Sequence, residues 1–343
     1  MMVNSDIRKI DLHTHILPRD LPDFSKKFGY DGFVRLEHHR PCGARMMIGD
    51  QCFREITSNC WDEELRLKEC DESQVQVQVL STIPVLFSYW AKPRDGLALS
   101  QYLNDHLASV VAKHPKRFVA LGTLPLQDPD LAARELERVV NDLGFPGVEI
   151  GSHVNGWNLD EPALFPVFEH AARLGACVFV HPWDMMAKDR MERYFLRWLV
   201  GMPAETTLAI CSLILGGVLE RLPKLRVCFA HGGGALPGTL GRIEHGFHAR
   251  PDLCTVATKT SPAAQLRRIF VDSLTHDADV LRLLLKQFGA ERIALGSDYP
   301  FPLGERTPGE LIASMPDLTK PVKQRLYYQT ALEFLNLKEE HFD

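Results

Sequence analysis

The 343-residue sequence has no Cys-x-x-Cys pair, although it contains eight cysteines: Cys42, Cys52, Cys60, Cys70, Cys177, Cys211, Cys228 and Cys254. With no such pairing, and with several set inside apolar runs, they read as reduced, mostly packing residues rather than a disulfide framework. An excess of positive charge is missing as well, because Lys+Arg 39 stand against Asp+Glu 44 for a net charge of −5. Nucleic acid and anionic membrane surfaces normally demand a basic face, so neither is expected as a partner. Long apolar runs are also lacking: the longest, Leu208 to Leu219, falls short of the ~20 residues a membrane helix needs. The segment Met1 to Lys9 is polar, without the apolar core of a secretion signal. A soluble, cytoplasmic protein is the expectation. The sequence shows no Gly-x-Gly-x-x-Gly or Walker pattern, no internal repeat and no low-complexity tract.

What is present is an ordinary globular balance. Hydrophobic residues at 45% against charged residues at 24% can bury a sizeable core and exclude wholesale disorder. The length is about twice the usual ~150-residue domain, yet one barrel can occupy ~200 to 400 residues.

Eight short runs recur along the chain: Arg8 to His13, Val75 to Ser81, Phe118 to Thr123, Gly147 to Gly151, Cys177 to His181, Arg226 to His231, Ile269 to Asp272 and Ile293 to Asp298. Each is nearly continuously apolar, as in Cys177-Val178-Phe179-Val180, which suits a parallel strand covered on both faces. Amphipathic segments lie between them, for example Pro129 to Leu143 and Glu161 to Leu174. Gly144 and Gly175 stand where a helix C-cap favours glycine. This alternation predicts an α/β fold, a (β/α)8 TIM barrel forming a single domain over residues 1–343, with a doubly wound open sheet as the alternative. Residues 18–61 are too many for a simple strand-to-helix loop. Within them, Arg45 to Ile48 and Gln51 to Ile56 flank Gly49-Asp50 and predict a small β-hairpin insertion after strand 1, near the barrel mouth. Gln324 to Leu335 predicts a closing amphipathic helix.

The first strand carries Asp11-Leu12-His13-Thr14-His15. In an extended chain residues two apart project to one side, so both imidazoles can reach one metal ion. Strands five, six and eight end in His181, His231 and Asp298, and a barrel gathers its active site at the C-terminal strand ends. His13, His15, His181 and Asp298 then form a ligand set suited to zinc with one open position, although manganese, iron or cobalt could replace it. Each residue alone has a plainer reading: a surface pair for His13 and His15, a buried structural histidine for His181 or His231, and a helix cap for Asp298. Their common placement favours the metal. Gly232-Gly233-Gly234 follows His231 and clears side chains from its imidazole, which points to acid/base work on water acidified by the metal. A glycine run by itself would equally suit phosphate binding or a tight turn.

His13-Thr14-His15, His181, His231 and Gly296-Ser297-Asp298 resemble the metal site of the amidohydrolase superfamily. Many two-metal members bridge the ions with a modified lysine on strand four. Here that strand reads Gly147-Val148-Glu149-Ile150, so the resemblance implies a single metal, with Glu149 either a further ligand or a partner of a helix cation. The runs Thr82 to Trp90, His181 to Met185, Trp198 to Thr207, His231 to Ala235 and Tyr299 to Gly304 are similar to the decarboxylase branch of that superfamily, and the likeness spans nearly the whole chain. It implies zinc-dependent, non-oxidative decarboxylation of a muconate semialdehyde in tryptophan (kynurenine) catabolism, limiting quinolinate and NAD formation. His231 and Asp298 carry catalysis in that reading, and no organic cofactor is needed.

A small dicarboxylate substrate calls for arginine, and the resemblance offers Arg54 on the hairpin. Trp198 stands either beside the substrate or in the core, and Trp183, Met185 and Phe301 are candidates to line the pocket. The resemblance further implies a homodimer in which Arg242 or Arg250 reaches the neighbouring subunit's site. The alternatives are a metal-dependent hydrolase of a lactone or cyclic amide, an aromatic-acid decarboxylase, and a catalytically silent barrel that serves as an interaction subunit.

Overall fold

The computed structural model describes residues 8–342, so most of the polar N-terminal segment lies outside the described residues. Eight strands form one parallel sheet: β1 (Ile10–Ile16), β2 (Val77–Thr82), β3 (Phe118–Gly122), β4 (Gly147–Gly151), β5 (Cys177–His181), β6 (Arg226–Phe229), β7 (Phe270–Asp272) and β8 (Ile293–Ala294). They neighbour one another in chain order. The chain beyond β8 closes the ring on β1: Leu12 N–H donates to Leu295 O (2.8 Å), His15 N–H to Tyr299 O (2.8 Å) and Asp298 N–H to His13 O (2.9 Å). A closed barrel replaces the open-sheet alternative.

The strands are apolar throughout because both faces are covered. Leu12, Val79, Leu121, Phe179, Cys228 and Ala294 pack into one cluster, which Phe334 and Leu335 of the closing helix complete. Alternating neighbours such as Leu80, Ala120, Val148, Val178, Val180 and Phe229 pack with the helices in another cluster. The period of two separates the two sides of the barrel wall. Eight helices follow the strands: α1 (Glu63–Ser73), α2 (Pro93–Lys113), α3 (Pro129–Asn141), α4 (Phe165–Leu174), α5 (Met202–Leu215), α6 (Leu236–Ala249), α7 (Ala278–Phe288) and α8 (Thr330–Leu335). Asp62, Asp128 and Asp277 cap α1, α3 and α7 by accepting first-turn amides, which satisfies donors that a helix start leaves free.

Several boundaries differ from the sequence expectation. Strand β1 runs on to Ile16, whereas β6 stops at Phe229 and β8 at Ala294. His231 and Asp298 therefore lie beyond the ladders, in turns with left-handed φ of 55° and 57°. The insertion holds the expected hairpin, Gly43–Ile48 with Gln51–Thr57, and also a third antiparallel strand, Val34–Arg40, and a short helix, Phe24–Phe28. The strand Val34–Arg40 ends in Glu37-His38-His39-Arg40 on an exposed edge, so no apolar alternation marked its second half.

Helix α5 continues a π-turn, Arg197–Gly201, and the joined 19-residue segment Arg197–Leu215 is longer than the apolar run read at Leu208 to Leu219. By length and composition it could cross a membrane. In this fold Ala209, Ile210, Leu213 and Ile214 of that segment sit in the main core. All eight cysteines are free; Cys60, Cys70, Cys177 and Cys228 are buried and half-buried Cys211 packs against the main core, so the packing role holds for five of the eight.

Phe288 ends α7 fully buried in the main core. Phe288→Ala should cost about 3–5 kcal/mol of stability in urea unfolding; a loss under about 1 kcal/mol would contradict the packing described.

Candidate metal centre and its surroundings

The pleat of β1 turns His13 and His15 to one side, His181 ends β5, and the left-handed turn after β8 brings Asp298 to them. All four are buried, and one donor atom from each lies within 4.8 Å of the others. The three imidazoles share an arrangement. His13 Nδ1 faces Asp272 Oδ2 at 2.7 Å, His15 Nδ1 faces Thr82 O at 3.0 Å, and His181 Nδ1 faces Pro182 O at 2.8 Å. An oxygen opposite Nδ1 holds the proton there and leaves Nε2 as a bare lone pair. Those lone pairs converge: His13 and His15 Nε2 are 3.1 Å apart, and His15 Nε2 is 3.1 Å from Asp298 Oδ1. His181 Nε2 has no hydrogen-bond partner among the described residues. Three nitrogen acceptors and a carboxylate oxygen facing one another out of water demand a cation, and this N/O set fits a divalent metal ion.

Electrostatics agree with that fit. Burial holds His15 below the usual imidazole range and His181 well below it, so both stay neutral and able to ligate. Burial alone would raise Asp298, but His15 and His231 outweigh it and hold the carboxyl well below the usual range.

His231 stands at the edge of the cluster. Its ring centroid is 5.2 Å from that of His13 and 5.1 Å from that of His181, and its Nε2 is 3.7 Å from Asp298 Oδ2. Burial lowers its proton affinity, but Asp298 more than offsets this and leaves the imidazole raised above its ordinary pKa. The glycines after it answer to packing: at Gly232 (φ 61°) a Cβ would meet Thr275 Cγ2 at 2.8 Å, and at Gly234 (φ 66°) it would meet Pro203 O at 2.4 Å. A tight turn, rather than a cleared approach to the imidazole, explains the run.

Three supports were not singled out in the sequence. Asp272, the last residue of β7, accepts from His13 and from the His231 and Gly232 amides. Its position at a strand end was a usable signal. Asp11 is buried with its carboxyl pushed up to about 7, chiefly by burial, and it accepts from the Ser297 amide (3.0 Å) and hydroxyl. That latch fixes the residue before Asp298. Arg66 of α1 is wholly buried, donates to His15 O and to Gln78 Oε1, and lies 4.6 Å from the Tyr299 ring centroid. Nothing in the polar sequence of α1 marks that arginine as internal.

Arg54 comes from the inserted strand, opposite Met46. Its guanidinium carbon is 4.6 Å from the Phe301 ring centroid, 5.5 Å from Trp198 and 5.8 Å from Phe53. Among the described residues no carboxylate pairs with it, and burial lowers its proton affinity against the pull of Asp298. Phe301 also approaches His15, ring centroids 5.6 Å apart, so a free guanidinium sits one aromatic ring away from a metal ligand. Trp198 is half-buried and stacks on Phe195 at 4.5 Å, which places it with Arg54 and not in the core.

Trp183, by contrast, is a packing residue: it is buried against Tyr89, and its indole N–H donates to His153 O. Met185 rests beside Gly201. Glu149 lies 3.7 Å from His15 Nδ1, the side of the ring away from the converging Nε2 atoms, and does not belong to the four-donor group. Among the described residues no helix cation pairs with it either, and burial pushes its carboxyl well above the usual range. Arg242 and Arg250 are exposed, on α6 and just after it, and neither bonds to the cluster of its own chain. Arg250 is held by both oxygens of Asp252, at 2.9 and 2.6 Å. Arg242 has no such partner among the described residues.

A closed barrel with four converging donors at its mouth defines a metal-dependent barrel enzyme. The chain belongs to the amidohydrolase family, whose model matches residues 10–337. It is 56% identical over 329 residues to the 2-amino-3-carboxymuconate-6-semialdehyde decarboxylase of Dictyostelium discoideum, covering 96% of this chain and 92% of that protein. It is 38% identical to the enzyme of the same name from Caenorhabditis elegans, covering 98% of this chain and 96% of that one. The crystal structure of 5-carboxyvanillate decarboxylase from Sphingomonas paucimobilis is similar with a TM-score of 0.82 and 25% identity, over 97% of this chain and all of that one.

His13→Ala and His181→Ala should each remove the stoichiometric divalent metal, read by elemental analysis after gel filtration. A fully metallated His13→Ala protein would refute the ligand set.

Proposed function

We propose that this protein is a zinc-dependent, non-oxidative decarboxylase that converts 2-amino-3-carboxymuconate 6-semialdehyde to 2-aminomuconate 6-semialdehyde. In tryptophan catabolism that reaction withdraws the semialdehyde from quinolinate and NAD formation. The observation that carries the reading is the unpaired Arg54 guanidinium held by aromatic rings beside the four-donor cluster. A hydrolase of neutral lactones has no need of a half-buried, unpaired cation waiting for a carboxylate, whereas a substrate with two carboxylates does. The full-length likeness to two decarboxylases with this substrate in their names supports the same choice.

His13, His15, His181 and Asp298 would hold one zinc ion per subunit, which supplies Lewis acidity for an oxygen group set against it. Arg54 grips one substrate carboxylate, while Phe301 and Trp198 offer faces to the conjugated chain. Loss of CO2 leaves an electron pair on the carbon that carried it, and that carbon must gain a proton. His231, at the cluster edge with its raised proton affinity, is the group that takes and returns a proton there. Asp298 keeps that imidazole charged when it holds the proton.

The second carboxylate calls for another cation. Arg242, exposed and without a partner among the described residues, is the candidate to cross into the site of a second copy in a homodimer, since Arg250 is already engaged by Asp252.

Purified protein offered the muconate semialdehyde, a dihydroxybenzoate and a lactone should release CO2 from the first and leave the lactone intact; lactone opening without CO2 release would overturn the proposal. Arg54→Ala should raise KM roughly 10- to 100-fold with kcat less affected, the scale of losing a bond to a charged group; unchanged constants would remove Arg54 from substrate binding. Mixing inactive Arg242→Ala with inactive His13→Ala subunits should restore part of the activity. No recovery in verified mixed dimers would refute the shared site.

A further inference from the structure

We infer that Asp272 couples the metal ligand His13 to the posture of His231, so that one buried carboxylate sets both the metal-binding and the proton-transfer halves of the site. This rests on the proposed acid/base role of His231 and extends it. Asp272 ends β7 with no exposed surface. Its Oδ2 accepts from His13 Nδ1 at 2.7 Å and from the His231 amide at 2.9 Å, and its Oδ1 accepts from the Gly232 amide at 2.8 Å and the Leu274 amide at 3.1 Å. These four donors occupy the acceptor sites of an ionised carboxylate.

The arrangement joins two requirements. His13 must keep its proton on Nδ1 to present a bare Nε2 to the metal, and the Asp272 oxygen opposite Nδ1 enforces that tautomer. His231 must stand in a left-handed conformation, φ 55°, followed by Gly232 at φ 61°, a backbone that a residue with a Cβ rarely adopts unless its surroundings hold it. Two charge-assisted bonds from consecutive amides to one fixed carboxylate supply that hold. Asp272 does not face the converging Nε2 atoms. It acts through His13 and His231 and is a positioning residue.

Asparagine at this site cannot reproduce the pattern, because its amide NH2 would face either the His13 Nδ1–H or a backbone N–H, donor against donor. Asp272→Asn is therefore tested in two backgrounds, native and His231→Ala, by chelator competition for metal affinity and by steady-state kinetics at saturating metal. Metal affinity is expected to fall roughly 10- to 100-fold in both backgrounds. At saturating metal, kcat is expected to fall about tenfold or more in the native background with KM nearly unchanged, and to fall no further in the His231→Ala background. Unchanged metal affinity, full kcat at saturating metal, or an equal additional loss of kcat without His231 would each overturn the coupling.

Full activity of His231→Ala alone would refute the acid/base role and not the metal arm, so the two failures are distinguishable. Should Asp272→Asn not fold, hydrogen exchange on the unmodified holoenzyme decides. The His231 and Gly232 amides should be protected and should exchange faster once a chelator removes the metal; identical rates with and without metal would overturn the inference.

Discussion

Three imidazole lone pairs and a carboxylate oxygen share one buried space at the mouth of the barrel, and their mutual repulsion is relieved only by a cation among them. Each lone pair is there because the opposite ring nitrogen gives its proton to a fixed oxygen: Asp272 for His13, Thr82 O for His15, Pro182 O for His181. Those oxygens belong to strand ends or the residues just after them. The barrel thus contributes more than proximity, since it fixes the tautomer of each ligand before any ion arrives.

Charge around the cluster is arranged by separation. Asp298 and Asp272 stay ionised because histidines face them, while Arg54 stays unpaired within a group of aromatic rings. A cation near the metal site with no carboxylate of its own is costly unless something else arrives to use it. In the function we propose, that unpaired cation is what makes a generic metal barrel a site for an acidic substrate. Arg54 lies on the third strand of the insertion after β1.

Much of the barrel was legible because burial on both faces leaves strands such as Cys177–His181 continuously apolar, and a (β/α)8 alternation follows. The strand Val34–Arg40 was not, since an exposed edge leaves no alternation. At the site, His13, His15 and His181 follow from pleat and strand ends. His231 and Asp298 were found with the right partners but for an incomplete reason: left-handed turns beyond the ladders place them. Glu149 was ambiguous because strand burial does not tell which side of a histidine a carboxyl meets, and Arg66 was invisible because a polar helix gives no sign that one arginine points inward. Asp272 stood at a strand end like the others, yet its part depends on backbone amides, which carry no residue identity.

The account is tested most directly by CO2 release from the muconate semialdehyde by purified protein before and after its metal is stripped and restored. It predicts that turnover disappears with the metal and returns with one equivalent of divalent ion per chain. Undiminished turnover by fully metal-free protein would contradict it.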